Sequence, residues 1–494
     1  MIPKEFAPIA NAILRVKDGG IPFPLREKRS RYTHLTSTPK AKTIVIHRPK
    51  YIITADEKGD VKVIKDRSIY IKNGVITEIF DPKKRKIDLN KVDLVFDAGL
   101  RGGLAVTPGF INAHSHPPMY MLRSSLMLEK GENLEKSLKD MFNLESNMTD
   151  EDFFISAVGD LTEEQKNGIT TTLSHYAVFD AIEEASKLVN QNVINAISAV
   201  SNSHPENTPA YVEKLLKNKK NYSTQVAVAV HTLHKADPAI LKKVAAICKK
   251  YKAIFTTHAA ETRDSVAENL RVHDDLTIPT LQKYGLANSR SILSHCVNLT
   301  EEEVAMIKKY NIGVVHLPTS NKLHKSGEFQ YPLFAKYGAE GQIALGTDSV
   351  ISKNSLDILS EALQARIMHQ DKYVVYYEEL FKMMTYNAAQ ILGLKTRGRI
   401  LPGFQADLAF WKVRDRGFIP YAEDKPVTII GNMITHGGRN VRDLMINGEF
   451  IISNRRHDII DETELLNQIQ AHHQAMRKRL KKVKQSTKKK STKK

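Results

Sequence analysis

The sequence predicts an α/β chain: a (β/α)8 barrel flanked by a small β-sandwich domain built from both ends of the chain. Short apolar runs alternate with amphipathic helical text about eight times, the order that yields a parallel sheet. The segments before and after that stretch are rich in β-branched residues and broken by Asn-Gly corners. The apolar runs of the middle stretch also stop repeatedly on histidine or aspartate, as the functional strand ends of a barrel would.

The elements follow in order. Residues 1–40, with Pro3, Pro8, Pro22, Pro24 and Pro39 among charges, read as an irregular extension that lies over the surface or stays loose. Residues 41–107 read as the first part of the sandwich, through "KTIVIHRPKYIITAD", "SIYIKNGVITEIF" and "VDLVFDAG", with a hairpin corner at Asn73 and Gly74. The barrel is expected over 108–395 and opens with "TPGFINAHSH" (107–116). "ITTTLSH" precedes a helix near 179–189, "VINAISAV" one near 209–218, "QVAVAVH" one near 237–250, and "AIFTTH" one near 264–271. "SILSHC" leads into 300–309, "IGVVHL" follows, "QIALGTD" comes before 354–369, and helical text continues through 378–392. Residues 396–456 return to β texture as the second part of the sandwich, with another corner at Asn447, and 457–494 read as a helical to disordered basic tail.

Composition narrows the function. At 494 residues the chain exceeds one ordinary small core, and no apolar run approaches the roughly 18 to 20 residues of a membrane span. No basic start followed by a long apolar stretch is visible at the N-terminus, so a cytoplasmic protein is expected. Cys248 and Cys296 alone exclude a disulfide framework and the Pro-Cys-x-x-Cys zinc site of nucleic-acid deaminases. The net charge of +18 is concentrated: residues 471–494 hold 11 Lys or Arg and no acid. Such a run is ordinarily a solvated tail, with nucleic acid or an anionic surface as the alternative partner. Its removal is expected to leave turnover unchanged. A small-molecule substrate and no membrane are expected, and a homo-oligomer is left open.

His114 and His116, spaced i, i+2 in a strand, face one side, and two imidazoles aimed at one point suggest a metal. The other strand ends are His175, His231, His258, His295, His316 and Asp348. With thiolates scarce, His114, His116, His258 and Asp348 would supply three neutral nitrogens and a carboxylate, with water completing the set. Singly, His258 reads as a buried strand-end histidine and Asp348, in "GTDS", as a turn or cap; their joint place on the rim favours the metal. Glu261, in "HAAET", could reach a metal-bound water as general base, against the plain alternative of a first-turn helix carboxylate. His295 is a candidate to orient the attacking water, against a structural histidine. Met119 and Leu122 are the apolar loop residues on which a ring would stack.

These residues resemble the amidohydrolase superfamily, in particular its mononuclear metal deaminase and chlorohydrolase branch, which includes S-adenosylhomocysteine and methylthioadenosine deaminases. The resemblance runs from about residue 43 to 455 through "PGFINAHSH", "NGITTT", "HAAET", "SHCVNLTEEE", "VVHLPTSN", "ALGTDSV", "NAAQILGL" and "LPGFQADLAFW". It implies one divalent metal ion, zinc first and iron(II) second, on His114, His116, His258 and Asp348. It also implies Glu261 as proton shuttle, His295 and Asp348 assisting attack, and His231 and Ser352 touching substrate. The fourth barrel strand has no lysine to bridge two metals. Three departures stand out: Asn298 where many relatives carry histidine, no arginine between Gln191 and Thr262, and no glutamine shortly after the paired histidines. The second weakens S-adenosylhomocysteine as substrate and the third demotes guanine. The implied activity is hydrolytic deamination of an exocyclic amine on a purine, pyrimidine or related heteroaromatic ring through a metal-activated water. Cleavage of a linear amide or a ring C–Cl bond is the alternative, and a non-catalytic binding scaffold the third.

Overall fold

The computed structural model describes residues 3–14, 41–99, 103–123, 125, 134–353, 355–436 and 441–491. Eight parallel strands form one sheet in consecutive order: Phe110–Ser115, Ile169–Tyr176, Asn192–Ser198, Gln225–Thr232, Phe255–Ala259, Ser291–His295, Gly313–His316 and Ile343–Leu345. The sheet closes on itself where Ser115 bridges Asp348 in parallel, and the Asp348 amide donates to the His114 carbonyl at 3.1 Å. Helices cover the strands, so most strand residues are buried on both faces, which is why these runs read as near-continuous apolar text.

The 107–116 run is two strands. Leu104–Pro108 belongs to the sandwich and Phe110–Ser115 to the barrel. Gly109 lies between them, where a Cβ would stand 2.2 Å from the Thr170 side chain. Only glycine lets the backbone pass so close from one sheet to the other. The helical text at 378–392 is likewise two helices, Tyr377–Met384 and Tyr386–Ile391, parted at Thr385, whose hydroxyl donates back to the Phe381 carbonyl at 2.7 Å. The helix expected from 354 starts at Ile358, because the Asp357 carboxylate accepts from the amides of Leu359 and Ser360 and sets the N-terminus there.

Both chain ends build the sandwich. Its seven-stranded sheet pairs Leu408–Lys412 antiparallel with Leu104–Pro108, joining C-terminal strands to N-terminal ones. The four-stranded sheet is N-terminal throughout, and Phe96 from it meets Phe410 and Phe450 of the larger sheet at ring distances of 4.8 and 4.9 Å. Both Asn-Gly corners adopt positive φ at both residues, 51° and 78° at Asn73 and Gly74, 51° and 79° at Asn447 and Gly448.

Two expectations about the ends are corrected. The start of the extension is not irregular: Ala7–Ile13 is a helix, Phe6 stacks on Phe154 at 4.5 Å, and Leu14 bridges Ile460. The rest of the expected extension, 15–40, lies outside the described residues. The tail is helical, within its reading as helical to disordered, but its residues 472–479 are packed where a solvated run was expected. Glu462–Ser491 is one helix, and its buried Leu465 and Met476 and half-buried Ile469 pack against the protein body. Its apolar residues are too sparse among lysines to announce a packed face. Residues 492–494 lie outside the described set, and among the described residues no helix is long and apolar enough to cross a membrane.

Candidate active site

The site lies where the barrel strands end. Phe110–Ser115 carries His114 within the strand, and His116 follows it. Phe255–Ala259 delivers His258, Ser291–His295 delivers His295, and Asp348 lies three residues past Ile343–Leu345. The rings of His114 and His116 are 4.7 Å apart, His114 and His258 4.9 Å, and His116 and His258 5.4 Å. Asp348 Oδ1 is 3.2 Å from His116 Nε2 and 3.9 Å from His114 Nε2. The four residues expected to hold a metal therefore converge.

His175, read from the sequence only as a strand end, belongs to the same cluster. Its ring is 4.7 Å from that of His258, and His114, His175 and His258 form one group within ligating reach of a common point, as do His114, His116 and Asp348.

The histidine tautomers are set by their neighbours. His116 Nδ1 and His258 Nδ1 each lie 2.6 Å from a backbone carbonyl, of His175 and His231 respectively. A carbonyl only accepts, so Nδ1 carries the proton and Nε2 keeps its lone pair. Burial holds His114, His175 and His258 well below the usual histidine pKa, with neighbouring imidazoles adding to the effect on each. Among the described residues, His114 Nε2 and both ring nitrogens of His175 are buried without a hydrogen-bond partner. Burial pushes Asp348 up, but a proton on the facing His116 imidazole, with His295 and His114 behind it, holds it well below the usual carboxylate range; with Nε2 unprotonated, a bound cation would take that proton's place. Neutral nitrogens with unused lone pairs beside an ionised carboxylate are the donor set a divalent cation requires, so these residues fit one.

Glu261 precedes the helix Arg263–His273, whose start is capped reciprocally by Thr262 and Ser265. Glu261 thus lies before the N-cap, outside the first helical turn in which the plain alternative placed it. Glu261 Oε2 lies 3.8 Å from His295 Nε2, while His295 Nδ1 is 2.8 Å from Asn321 Oδ1, an acceptor, which leaves Nε2 as the lone-pair nitrogen facing Glu261. Asn298, the departure noted in the sequence, donates to the Glu261 carbonyl at 2.8 Å and the Ser326 carbonyl at 3.0 Å, and so fixes the backbone under Glu261.

Backbone conformation is costly here. Ala260, His295, Cys296 and Asp348 have φ of 46°, 72°, 51° and 58°. Left-handed conformations cost non-glycine residues roughly 1–2 kcal/mol each and gather where geometry serves function.

The residues expected to touch substrate fall differently. His231 is exposed at the mouth, its ring 4.6 Å from that of His258, with Lys235 Nζ 3.5 Å from its Nδ1. Ser352 is buried, its hydroxyl 3.5 Å from Asp348 Oδ2 and 3.1 Å from His324 Nε2. Met119 is half-buried in the turn after His116 and Leu122 is fully buried, and both pack with Met141, Leu144 and Met476 in the helical layer. Sequence reasoning missed the partners that hold the site: Ser294, 2.8 Å from His114 Nδ1, and Ser320, which donates to Asp348 Oδ2 at 2.5 Å. Both lie inside quoted motifs, "SHC" and "PTSN", and that adjacency was the available signal.

His316 lies apart from the cluster. Its Nε2 meets His369 Nε2 at 3.1 Å, and burial lowers both, His369 to about 4. Unfolded, His369 takes up a proton near pH 6.5; folded, it waits until about 4. Between those values the unfolded state binds more protons, so stability falls as pH falls, by up to about 1.4 kcal/mol per pH unit for such a group. Denaturant titrations at pH 7 and 5 are expected to show a smaller loss in His369→Gln than in the wild type; equal losses would count against it.

Comparison with known proteins gives the family and the fold. The chain is 27% identical over 425 residues to a 5-methylthioadenosine/S-adenosylhomocysteine deaminase of Caldicellulosiruptor saccharolyticus, covering 85% of this chain and 96% of that protein. It is 29% identical over 421 residues to the protein of the same name from Pyrococcus furiosus, with 83% and 96% covered. Among solved structures, an adenosine deaminase from Xanthomonas campestris with bound zinc superposes with a TM-score of 0.79 at 21% identity, covering 89% of this chain and all of that one. The family model described as the amidohydrolase family matches residues 105–451, the barrel and most of the C-terminal sandwich strands, and the chain belongs to that family.

Proposed function

We propose that this chain is a hydrolytic deaminase that replaces the exocyclic amine of a heteroaromatic ring, an adenine nucleoside first, by oxygen and releases ammonia. The observation that carries the reading is the convergence of His114, His116, His258 and Asp348 with the facing pair Glu261 and His295 at one barrel mouth. His114, His116, His258 and Asp348 would hold one divalent ion, zinc before iron(II), with His175 beside them. When bound, that ion supplies Lewis acidity, which brings the pKa of a water toward about 7.

The chain's own residues manage the protons. Water adds to the ring carbon that bears the amine. Glu261 accepts the proton the water loses and returns it to the departing nitrogen, so that ammonia leaves and the ring gains a C–O bond. His295 Nε2, held toward Glu261 by Asn321, gives that proton a second resting place. Asp348, kept ionised, attracts positive charge as it develops.

The stretch from Gln191 to Thr262 holds no arginine, and Lys235 is a cation at the mouth. A lysine gives a point charge without a two-pronged fork, so adenosine or 5′-methylthioadenosine is placed ahead of S-adenosylhomocysteine. The test is ammonia release by zinc-loaded protein across adenosine, 5′-methylthioadenosine, S-adenosylhomocysteine, guanine and a chlorotriazine. Turnover of the adenine nucleosides is expected; ammonia from none of these substrates would overturn the proposal.

A further inference from the structure

The turn Pro117–Leu122 leaves directly from His116, whose carbonyl accepts from the Met119 amide at 2.9 Å, so its position is tied to the cluster. Its Met121 peptide is held from both sides. The Met121 amide donates to Ser156 Oγ at 2.8 Å, and the Met121 carbonyl accepts from His473 Nδ1 at 2.9 Å. Ser156 belongs to the helix Asp150–Lys166, but His473 belongs to the C-terminal helix Glu462–Ser491, beyond the stretch matched by the family model.

Other contacts of that helix converge on the same region. Met476 is fully buried with Leu122, Met141 and Leu144. Ile469 packs with Tyr120 of the turn and Val350, two residues from Asp348. His472 Nδ1 lies 2.8 Å from Asp152 Oδ1, and Arg479 pairs with Asp152 Oδ2 and donates to the Asn147 carbonyl at 3.2 Å. Residues 469, 472, 473, 476 and 479 share one helical face. Asp152 is fully buried, and burial raises its pKa, but His472, the Thr149 amide and Arg479 reverse that and keep it ionised. A buried carboxylate stripped of such partners is strongly destabilising, so the helix is needed where it is.

We propose that the C-terminal helix is a clamp for the active-site turn, with His473 as a positioning residue that fixes it through the Met121 carbonyl. The inference rests on the deaminase reading for its kinetic consequence but not for its structural one. His473→Ala is expected to speed amide exchange of the 117–122 segment about tenfold while the strand Gln225–Thr232 stays protected. In the zinc-loaded protein, KM for the substrate turned over is expected to rise about tenfold, with kcat within about twofold and metal content unchanged. His473→Asn, whose side-chain amide donates from nearly the same place as Nδ1, is expected to restore both. Deleting residues 484–494 is expected to change neither, whereas deleting 471–494, expected from the sequence to be without effect, removes His473 and Met476 and is expected to give the His473→Ala result.

A His473→Ala protein whose turn exchanges like the wild type overturns the inference, as does a KM change that His473→Asn fails to reverse. Should His473→Ala not fold, Met476→Ala is read in the same way, with faster turn exchange expected and unchanged exchange overturning the clamp. If the wild type turns over none of the panel, the deaminase reading falls alone and exchange still decides the clamp.

Discussion

Replacing Glu261 by glutamine is expected to lower kcat for ammonia release by about 10²–10⁴-fold while bound metal stays at the wild-type level. Glutamine keeps the size and most of the polarity of the side chain but cannot carry a proton from water to the departing nitrogen. The backbone should not move, since Thr262 and Ser265 cap the following helix and Asn298 holds the Glu261 carbonyl without help from the carboxylate. Stopped assays of ammonia, with elemental analysis of the same preparations, check both halves. Wild-type turnover in the variant would remove Glu261 from the chemistry, and lost metal would mean it acts as a ligand instead.

The second large effect is on stability. Stripping the ion with a chelator is expected to lower the melting temperature, and zinc at about a thousand times its Kd to restore about 4 kcal/mol. Neutral imidazoles packed around unpartnered nitrogens are arranged for a ligand and gain from one. Asp348→Asn is the informative variant. Its φ of 58° is one asparagine tolerates, so the substitution removes charge with little added backbone strain. Calorimetry of Asp348→Asn with and without zinc is expected to show the metal-dependent rise much reduced. A rise equal to that of the wild type would place the ion on other residues.

The barrel was legible because its strands are buried on both sides and its helices on one, so apolar runs of constant texture mark each strand and their last residues mark the rim. The pairing of His114 and His116 was legible from their spacing, although His116 lies just past the end of the strand. Less legible was whatever depends on contacts far apart in the chain. Nothing in "SILSH" says that Ser294 will reach His114. His175 looked like any strand end until its ring lay beside that of His258. The ends misled for a different reason: the basic residues of 471–494 outweigh Met476 in any local average, although Met476, the His472 and Arg479 pairs with Asp152 and His473 on a carbonyl dock the helix.

The cylinder is finished by a short joint: Ser115 bridges Asp348, the Asp348 amide donates to the His114 carbonyl, and the Thr347 amide donates to Asn112 Oδ1. The hoop's last rivet is therefore driven through the same few residues that would grip the ion. Filling that grip should tighten every stave, and emptying it should let the ring spring first at its mouth, so that losing the catalyst and losing the container become one event.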